Sequence, residues 1–144
     1  MHFHFLEDRD ALPATQLRDM TTLLRSVDPN ETDMTHQRLT DLARTSYWVL
    51  GKMFVDHGSQ IVALGVLVPK SEFDTVRIEK IAVAEGSRHQ GIGIQLMHRL
   101  VDLARVRAFR NVEAPLAEEG SPVDRLLRRF HFQRNANRYL LTLD

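Results

Sequence analysis

Apolar and polar residues follow each other along the chain in patterns that divide it into strand-like and helix-like segments. Short apolar or alternating runs are typical of strands. The sequence contains six such runs, which are HFHFL, YWVLGKMFVD, QIVALGVLV, TVRIEKIAVA, NVEAPL and NRYLLTL. Between the second and third runs stands HGS, which predicts a hairpin turn.

Apolar residues at helical spacing predict four helices between these strands, in the order β-α-α-β-β-β-α-β-α-β. This order is that of an α/β fold with a mixed sheet and helices on its faces. The first helix has its N-cap at Asp10 and Pro13 in its first turn, the second ends near Ser46, and the fourth is SPVDRLLRRF. The apolar positions of the first three helices are Leu17, Met20, Leu24 and Val27, then Leu39, Leu42 and Ala43, then Leu96, Met97, Leu100, Ala104 and Ala108.

Length and composition fit one domain whose partner is neither nucleic acid nor a membrane. The 144 residues suffice for one core and no repeat or linker divides them, so we expect a single domain over residues 1–144. Lys plus Arg and Asp plus Glu both number 19, and a chain without net charge lacks the positive field that nucleic acids and anionic membranes require. With no cysteine, signal-peptide pattern or long apolar run, the chain is expected in the cytoplasm. His2 and His4 lack a third ligand nearby, so no metal site is predicted.

The segment VAEGSRHQGIGIQLM, residues 83–97, places two glycines between the fourth strand and the third helix. Backbone N–H groups converge at a helix N-terminus, where the helix dipole favours negative charge. Gly91 and Gly93 would let phosphate oxygens approach the backbone, and Arg88 would add a charged contact. The alternative is that both glycines only allow a tight turn and close helix packing. Neither the three-glycine dinucleotide motif nor the P-loop fits, because no third glycine and no Gly-Lys-Ser/Thr is present.

The segment VRIEKIAVAEGSRHQGIGIQLMHRLVDLA, within this order of elements, resembles the signature of the GNAT superfamily of acyl-CoA-dependent N-acyltransferases. Residues 88–93, RHQGIG, match the family motif Arg/Gln-x-x-Gly-x-Gly/Ala without a gap. Val83 stands five residues before the arginine, like the valine that ends the family's strand. The resemblance reaches nearly the whole chain, including the C-terminal FHFQRNANRYLLTL. It implies a mostly antiparallel sheet that splays into a V between the fourth and fifth strands.

The resemblance also implies how acetyl-CoA would bind as the acyl donor. Backbone N–H groups of residues 88–93 would hold its pyrophosphate, and the exposed backbone of the fourth strand would pair with its pantetheine arm like an added strand. The thioester would lie in the V, facing an acceptor amine, where N–H of Ile81 or Val83 could stabilise the oxyanion. The implied cofactor-binding residues are Ile81, Ala82, Val83, Arg88, His89, Gln90, Gly91, Ile92 and Gly93.

Transfer to an amine needs the unprotonated amine, which a positioned carboxylate can generate. A lysine-like amine has a pKa near 10.4, so its deprotonation at pH 7 costs about 4–5 kcal/mol. We expect Glu79 to be the catalytic base, because RIEKIAV resembles the family's Ile-Glu-x-x-x-Val run. The two-residue period of a strand would put Arg77, Glu79, Ile81 and Val83 on one face. The alternative is that Glu79 is a surface carboxylate, either solvated or paired with Arg77.

The helix after the fifth strand departs from the family's Ala-Asn-x-x-Tyr-x-x-x-Gly-Phe pattern. Aligned on Phe132, the chain has Leu127 at the tyrosine position, Asp124 at the asparagine position and His131 at the glycine position. The tyrosine is the family's usual general acid for the departing thiolate. A thiol with a pKa near 8.5 still leaves at neutral pH, and general acid help is worth at most about 10²–10⁴-fold. Tyr139 or a water is an alternative donor, although Tyr139 fits a packed position on the last strand better.

We therefore expect an N-acetyltransferase that moves the acetyl group from acetyl-CoA directly to a primary amine of a small molecule or peptide. Direct transfer follows because no cysteine can carry the acyl group. One alternative is a CoA-binding module with weak or no catalysis, which Leu127 and Asp124 favour, and another is an unrelated α/β nucleotide binder with the same glycine turn. The acidic residues of DPNETDMTH and AEEGSP would suit a cationic acceptor. A homodimer, common among the proteins that this chain resembles, is compatible with the sequence.

Overall fold

The computed structural model describes residues 2–5, 12–55, 58–70, 74–88 and 91–143, with only the backbone for residues 2–5 and 55. Its elements follow the expected order, with one short strand added near the C-terminus. The strands are β1 (His2–Phe5), β2 (Tyr47–Val55), β3 (Gly58–Pro69), β4 (Thr75–Val83), β5 (Asn111–Pro115), β6 (Gln133–Arg134) and β7 (Arg138–Thr142). The helices are α1 (Ala14–Val27), α2 (His36–Ala43), α3 (Ile92–Val106) and α4 (Pro122–Arg129).

In the described part of the chain, seven strands form one mixed sheet in the order β1-β2-β3-β4-β5-β7-β6. Every neighbouring pair is antiparallel except β4 and β5, which are parallel. The hairpin between β2 and β3 is confirmed, since Val55 pairs with Gly58. The fold class is thus confirmed, while β6 was not predicted because two residues are too short to show a period.

Strands β4 and β5 separate after three residue pairs, the last of which joins Arg77 to Glu113. From there β4 continues to Val83 along β3, whereas β5 continues to Pro115 along β7. Residues 78–83 therefore have a neighbouring strand on one side only. The predicted V between β4 and β5 is confirmed.

The helices cover both faces of the sheet, and each face has its own apolar core. One core joins α1 and α2 to the sheet through residues such as Met20 and Trp48. The other joins α3 and α4 to it through residues such as Leu100 and Leu127. None of the helices in the described ranges is long and apolar enough to cross a membrane.

The predicted helix ends needed correction at three places. Val27 is the last residue of α1 and is exposed, and Ala108 lies beyond α3 with a φ of 64°, so neither belongs to an apolar stripe. Pro13 is the N-cap of α1 rather than a first-turn residue. The predicted N-cap, Asp10, lies outside the described residues. Periodicity identified the buried stripes of α1 and α3 but not the residues that end them.

A β-bulge interrupts β4 at Glu79. Leu67 pairs with Ile78, but the preceding residue of β3, Val66, pairs with Lys80. Glu79 is therefore an extra residue in β4, and such a residue shifts the side-chain alternation of its strand by one position. Nothing in the apolar pattern of TVRIEKIAVA marks this interruption.

The bulge places Glu79 on a different face from the end of β4. Ile81 and Val83 pack against the core under α3 and α4. Arg77 pairs with Val68, which packs against the opposite core, and lies 3.6 Å from Glu79 between Nε and Oε2. The prediction that Arg77, Glu79, Ile81 and Val83 share one face is therefore wrong, because the two-residue period does not continue across a bulge.

Candidate functional site

The N-terminus of α3 presents backbone N–H groups at the open end of the V. Gly91 is the N-cap, has a φ of 75° and provides no side-chain cap. Its carbonyl accepts the first regular helix bond, from the N–H of Gln95 at 3.1 Å. The N–H groups of residues 92–94 precede that bond, so they have no partner within the helix. His89 and Gln90, also predicted to bind the pyrophosphate, lie outside the described residues.

Different structural features account for the two glycines of this turn. Gly91 adopts the left-handed conformation, which glycine tolerates at low cost. Gly93 is helical, and a Cβ built on it would meet only Leu126, at an ordinary contact distance of 3.7 Å from its Cδ2. A tight turn thus explains Gly91, whereas close helix packing does not explain Gly93. Without a side chain, Gly93 leaves the backbone of the first turn of α3 uncovered on the side of Leu126.

The end of β4 offers a second set of backbone groups along the V. Ala84 donates its N–H to Val62 of β3 at 2.7 Å, and in an antiparallel ladder every second residue is turned the same way. The backbone groups of Ala82 therefore face β3, while those of Ile81 and Val83 face the gap. This alternation corrects one prediction, since the backbone of Ala82 is not presented to a ligand in the V.

Arg88 connects the glycine turn to this edge. Its side chain is exposed and its Nε donates to the carbonyl oxygen of Val83 at 3.2 Å. Its backbone N–H donates to the carbonyl of Glu85, in the 3-10 turn (Glu85–Ser87) that precedes it. The guanidinium is thus held at the point where the β4 edge and the α3 N-terminus meet, which is where a diphosphate would need a cation.

Glu79 lies at the rim of a small pocket between the sheet and helices α1 and α2. The pocket has a volume of about 170 Å³, and its walls include Leu24, Leu42 and Trp48. The Glu79 side chain is 46% exposed, and its nearest cation is Arg77. The separation of 3.6 Å exceeds a hydrogen-bond distance, so Arg77 Nε does not occupy the carboxylate with a hydrogen bond.

A larger cleft of about 600 Å³ begins where β4 and β5 separate. Its floor contains Glu113, whose side chain is 5% exposed and receives Lys70 Nζ at 3.1 Å and a hydrogen bond from Arg138. Burial alone would raise the pKa of Glu113, but the hydrogen bonds from Arg138 and Lys70 outweigh it and lower the pKa. The sequence analysis missed this residue, although a carboxylate inside the apolar run NVEAPL was a usable signal.

The residue at the family's asparagine position, Asp124, is the centre of a buried network. Its carboxylate accepts hydrogen bonds from the Tyr139 hydroxyl at 2.5 Å, the Gly120 N–H at 2.9 Å and Arg134 Nη1 at 3.1 Å. Arg128 adds a contact from the exposed side. The bond from Tyr139 is the largest of the causes that hold the pKa of Asp124 far below its ordinary value of 3.8. Asp124 is therefore a charged anchor between α4 and β7.

The same network explains why Tyr139 does not replace the missing tyrosine in α4. Burial, followed by the bond to Asp124, raises the pKa of the fully buried Tyr139. Its proton is directed at that carboxylate, which confirms the packed role. Leu127, at the family's tyrosine position, is 1% exposed in the core under α3. His131 has a φ of 69°, the conformation that favours glycine, as its alignment with the family's glycine requires.

Four of the five acidic residues in the predicted acceptor-site segments lie close to a basic side chain. Each of four carboxylates lies within 4 Å of a cation. They therefore give little support to a cationic acceptor. No three His, Asp or Glu side chains in the described ranges are grouped as metal ligands. The four pairs are Asp28 with Lys80, Glu31 with Arg38, Asp33 with Arg25, and Glu119 with Arg128.

Comparisons with known proteins agree with this geometry. The acetyltransferase (GNAT) family matches residues 15–132 of the sequence. The fold is similar to that of a ribosomal-protein-alanine N-acetyltransferase from Brucella melitensis, with a TM-score of 0.75, 16% identity and coverage of 99% of this chain and 100% of the other.

Two further similar structures contain a bound nucleotide. An acetyltransferase from Bacillus subtilis in complex with CoA has a TM-score of 0.71, 17% identity and coverage of 99% and 98%. A GNAT family acetyltransferase from Elizabethkingia anophelis with acetyl-CoA bound has a TM-score of 0.69, 19% identity and coverage of 99% and 97%. At such identities the similarity establishes the fold. A search of curated proteins finds no match.

Proposed function

The chain belongs to the GNAT family of acetyltransferases, and we propose that residues 1–144 form one domain that transfers the acetyl group of acetyl-CoA directly to a primary amine. One observation carries the proposal. Strands β4 and β5 separate into a V, and the helix that follows β4, α3, begins with Gly91, which provides no side-chain cap, and with Gly93, at which a Cβ would make only an ordinary 3.7 Å contact with Leu126. Helical N–H groups without a side-chain cap are what a bound diphosphate requires.

The donor site would use two sets of backbone groups and one cation. The N–H groups of Ile92 and Gly93, with the Arg88 guanidinium, would hold the pyrophosphate. The N–H and C=O groups of Ile81 and Val83 would bond the amide groups of the pantetheine arm as an added strand. This arrangement supports acetyl-CoA as the donor, because backbone groups at the end of β4 and at the start of α3 face the proposed site. The Val83 carbonyl would exchange its bond from Arg88 Nε for one from the pantetheine arm.

Glu79 is proposed as the base for the acceptor amine. The bulge turns it toward the face that α1 and α2 cover, from which an acceptor would approach the V. Bound acetyl-CoA supplies the acyl thioester. Glu79 would accept the proton of the ammonium group, so that the amine nitrogen can form the new C–N bond as the C–S bond breaks. A proton from solvent would then neutralise the thiolate, since the described residues provide no hydroxyl at the position of Leu127.

The absence of a tyrosine at position 127 favours a second candidate function. Leu127 is fully packed and the Tyr139 proton is directed at Asp124, so neither of these two positions supplies a general acid. A domain that binds CoA with weak or no catalysis would show the same donor site. The two candidates differ only in whether thiol is released when an amine is present.

Two assays with the same preparation separate these possibilities. In the first, acetyl-CoA at about 100 times its dissociation constant should stabilise the fold by about 2.7 kcal/mol whether or not the protein is an enzyme. In the second, thiol release is followed with a panel of amines and peptides, and acceptor-dependent release supports the acetyltransferase. Stabilisation without release supports the binding module. Stabilisation by ATP or NAD but not by CoA would overturn both.

A further inference from the structure

The cleft at the start of the V has more cationic than anionic side chains. Its walls include Lys70, Arg77 and Arg138, against the single carboxylate of Glu113. Glu113 is occupied by two of these cations, Lys70 and Arg138. The remaining positive charge is that of Arg77, which stands at the last residue pair before β4 and β5 separate.

Arg77 has the geometry of a group prepared for an anion. Its Nε atom is buried and has no hydrogen-bond partner in the described part of the chain. Leaving a charged donor buried without a hydrogen bond is costly in a folded protein. The nearest carboxylate, Glu79, lies 3.6 Å away and also stands at the rim of the apolar pocket. An anionic ligand group would provide the missing acceptor.

The spacing of Arg77 and Glu79 selects the ligand class. Glu79, as the proposed base, binds the acceptor amine, and its Oε2 lies 3.6 Å from Arg77 Nε. In an α-amino acid the nitrogen and the carboxyl carbon are separated by two bonds of about 1.5 Å each. One such molecule can therefore present its ammonium group to Glu79 and its carboxylate to Arg77. A guanidinium is also the side chain best suited to a planar carboxylate.

We propose that Arg77, with Lys70 and Arg138 beside it, forms an anion subsite that binds the carboxylate of an α-amino acid, which is the acetyl acceptor. This inference rests on the proposed function, because it assumes that the amine of the same ligand is acetylated beside Glu79. It goes further in naming the acceptor class. It also reverses the expectation of a cationic acceptor that the acidic loops suggested.

The decisive experiment compares matched acceptors. Thiol release is measured with the common L-amino acids, each as the free acid and as its C-terminal amide, and with O-phosphoethanolamine. The amide has the less basic amine, so a preference for the free acid runs against intrinsic reactivity. We expect kcat/KM to be higher for the acids, mainly through KM, because the carboxylate is held equally before and during transfer.

The variant Arg77→Gln tests the residue. It should lower kcat/KM about 10- to 150-fold for the free acids. The kcat/KM of the amides relative to that of other amines without a carboxylate should stay the same. Arg105→Gln is the matched control, since Arg105 forms a surface pair of similar length, 3.5 Å, with Asp102 on α3. It should leave every acceptor unaffected. An equal loss on acids and amides in Arg77→Gln would contradict the subsite and show that Arg77 acts only through Glu79.

A binding measurement keeps the inference separate from turnover. The Nε–H NMR signal of Arg77, assigned with Arg77→Gln, is followed during titration with glycine and with glycinamide. A saturable shift with glycine alone supports the subsite even if no thiol is released, in which case only the proposed transfer fails. Acetylation of amides or phosphoethanolamine in preference to the free acids would overturn the carboxylate assignment while leaving the acetyltransferase intact.

Discussion

At the scale of single residues, Gly91 and Gly93 show how a glycine with a conformational role differs from one that leaves space. Gly91 needs its positive φ, so any other residue at that position is strained. Gly93 has an ordinary helical conformation, and a Cβ on it would meet only Leu126, at 3.7 Å. The motif match named both residues, but only the structure separates their roles, because φ cannot be read from the sequence.

Replacing each glycine by alanine should therefore have opposite effects on the fold. Gly93→Ala should raise the free energy of unfolding by up to about 1 kcal/mol, as alanine favours a helix. It should also weaken the binding of acetyl-CoA, because its methyl group would cover part of the first turn of α3, where the proposed phosphate site lies. Gly91→Ala should lower the free energy of unfolding by about 1–2 kcal/mol. Urea unfolding with and without acetyl-CoA measures both, and undiminished affinity in Gly93→Ala would refute the phosphate site.

Glu79→Gln should separate a catalytic carboxylate from a surface one. If Glu79 removes the proton of the amine, the variant should lose about 10²–10⁴-fold in kcat at pH 7. The free energy of unfolding should change by no more than about 0.5 kcal/mol, because the side chain is 46% exposed. The loss should shrink as the pH rises toward the pKa of the acceptor amine, where the amine deprotonates unaided.

Asp102→Asn provides the control for this carboxylate, since it makes the same chemical change on the exposed side of α3. Its rate should equal that of the wild type across the pH range. A Glu79→Gln enzyme as fast as Asp102→Asn at pH 7 would assign the proton transfer to another group.

At the scale of elements, much of the fold could be predicted because period and composition are local properties. The runs around Leu64 in β3 and Leu100 in α3 identified their elements directly. The bulge at Glu79 could not be predicted, because it arises from the pairing of β4 with β3 rather than from β4 itself. The same limit hid the cleft around Glu113, whose cations come from three separate segments.

The alternation in β4 predicts opposite consequences for proline at two neighbouring residues. The backbone of Ala82 belongs to the ladder with β3, whereas that of Val83 faces the V. Ala82→Pro should remove a ladder bond and strongly destabilise the fold, since proline is confined to edges and bulges of sheets. Val83→Pro should keep the fold but lose affinity for acetyl-CoA.

Thermal unfolding and acetyl-CoA titration of both variants test this edge. The informative result is a folded Val83→Pro protein with weakened binding. Unchanged binding by that variant would mean that the pantetheine arm does not pair with β4, whatever Ala82→Pro does to stability.

At the scale of the whole molecule, Asp124 joins α4 to the last two strands of the chain. Its partners come from the turn before α4, from β6 and from β7. Sequence comparison marked Asp124 only as a departure from a family pattern. The network that it forms could not be anticipated, because Arg134 and Tyr139 read as ordinary residues of a C-terminal strand region.

This network and Glu113 should make the stability of the protein fall in acid. Both carboxylates have pKa values lowered by folding, so their stabilisation is complete above their ordinary values of 4.5 for Glu113 and 3.8 for Asp124. As the pH drops through these values the unfolded chain binds protons that the folded chain does not, and the free energy of unfolding must decrease. In alkali the raised pKa of Tyr139 acts in the opposite direction, with stability lost as the pH rises above its ordinary 10.0.

Tyr139→Phe tests how much of this pH dependence belongs to the network. The variant removes the hydroxyl that lowers the pKa of Asp124 most, so the folded chain binds that proton at a higher pH. It should be less stable than the wild type at neutral pH, yet its free energy of unfolding should fall less steeply between about pH 5 and pH 2. It should also lose the alkaline decrease that Tyr139 causes. Urea unfolding at a series of pH values gives both slopes. Parallel curves for the two proteins would place the acid sensitivity at Glu113 or elsewhere, and the anchor between α4 and β7 would then rest on packing of the Tyr139 ring alone.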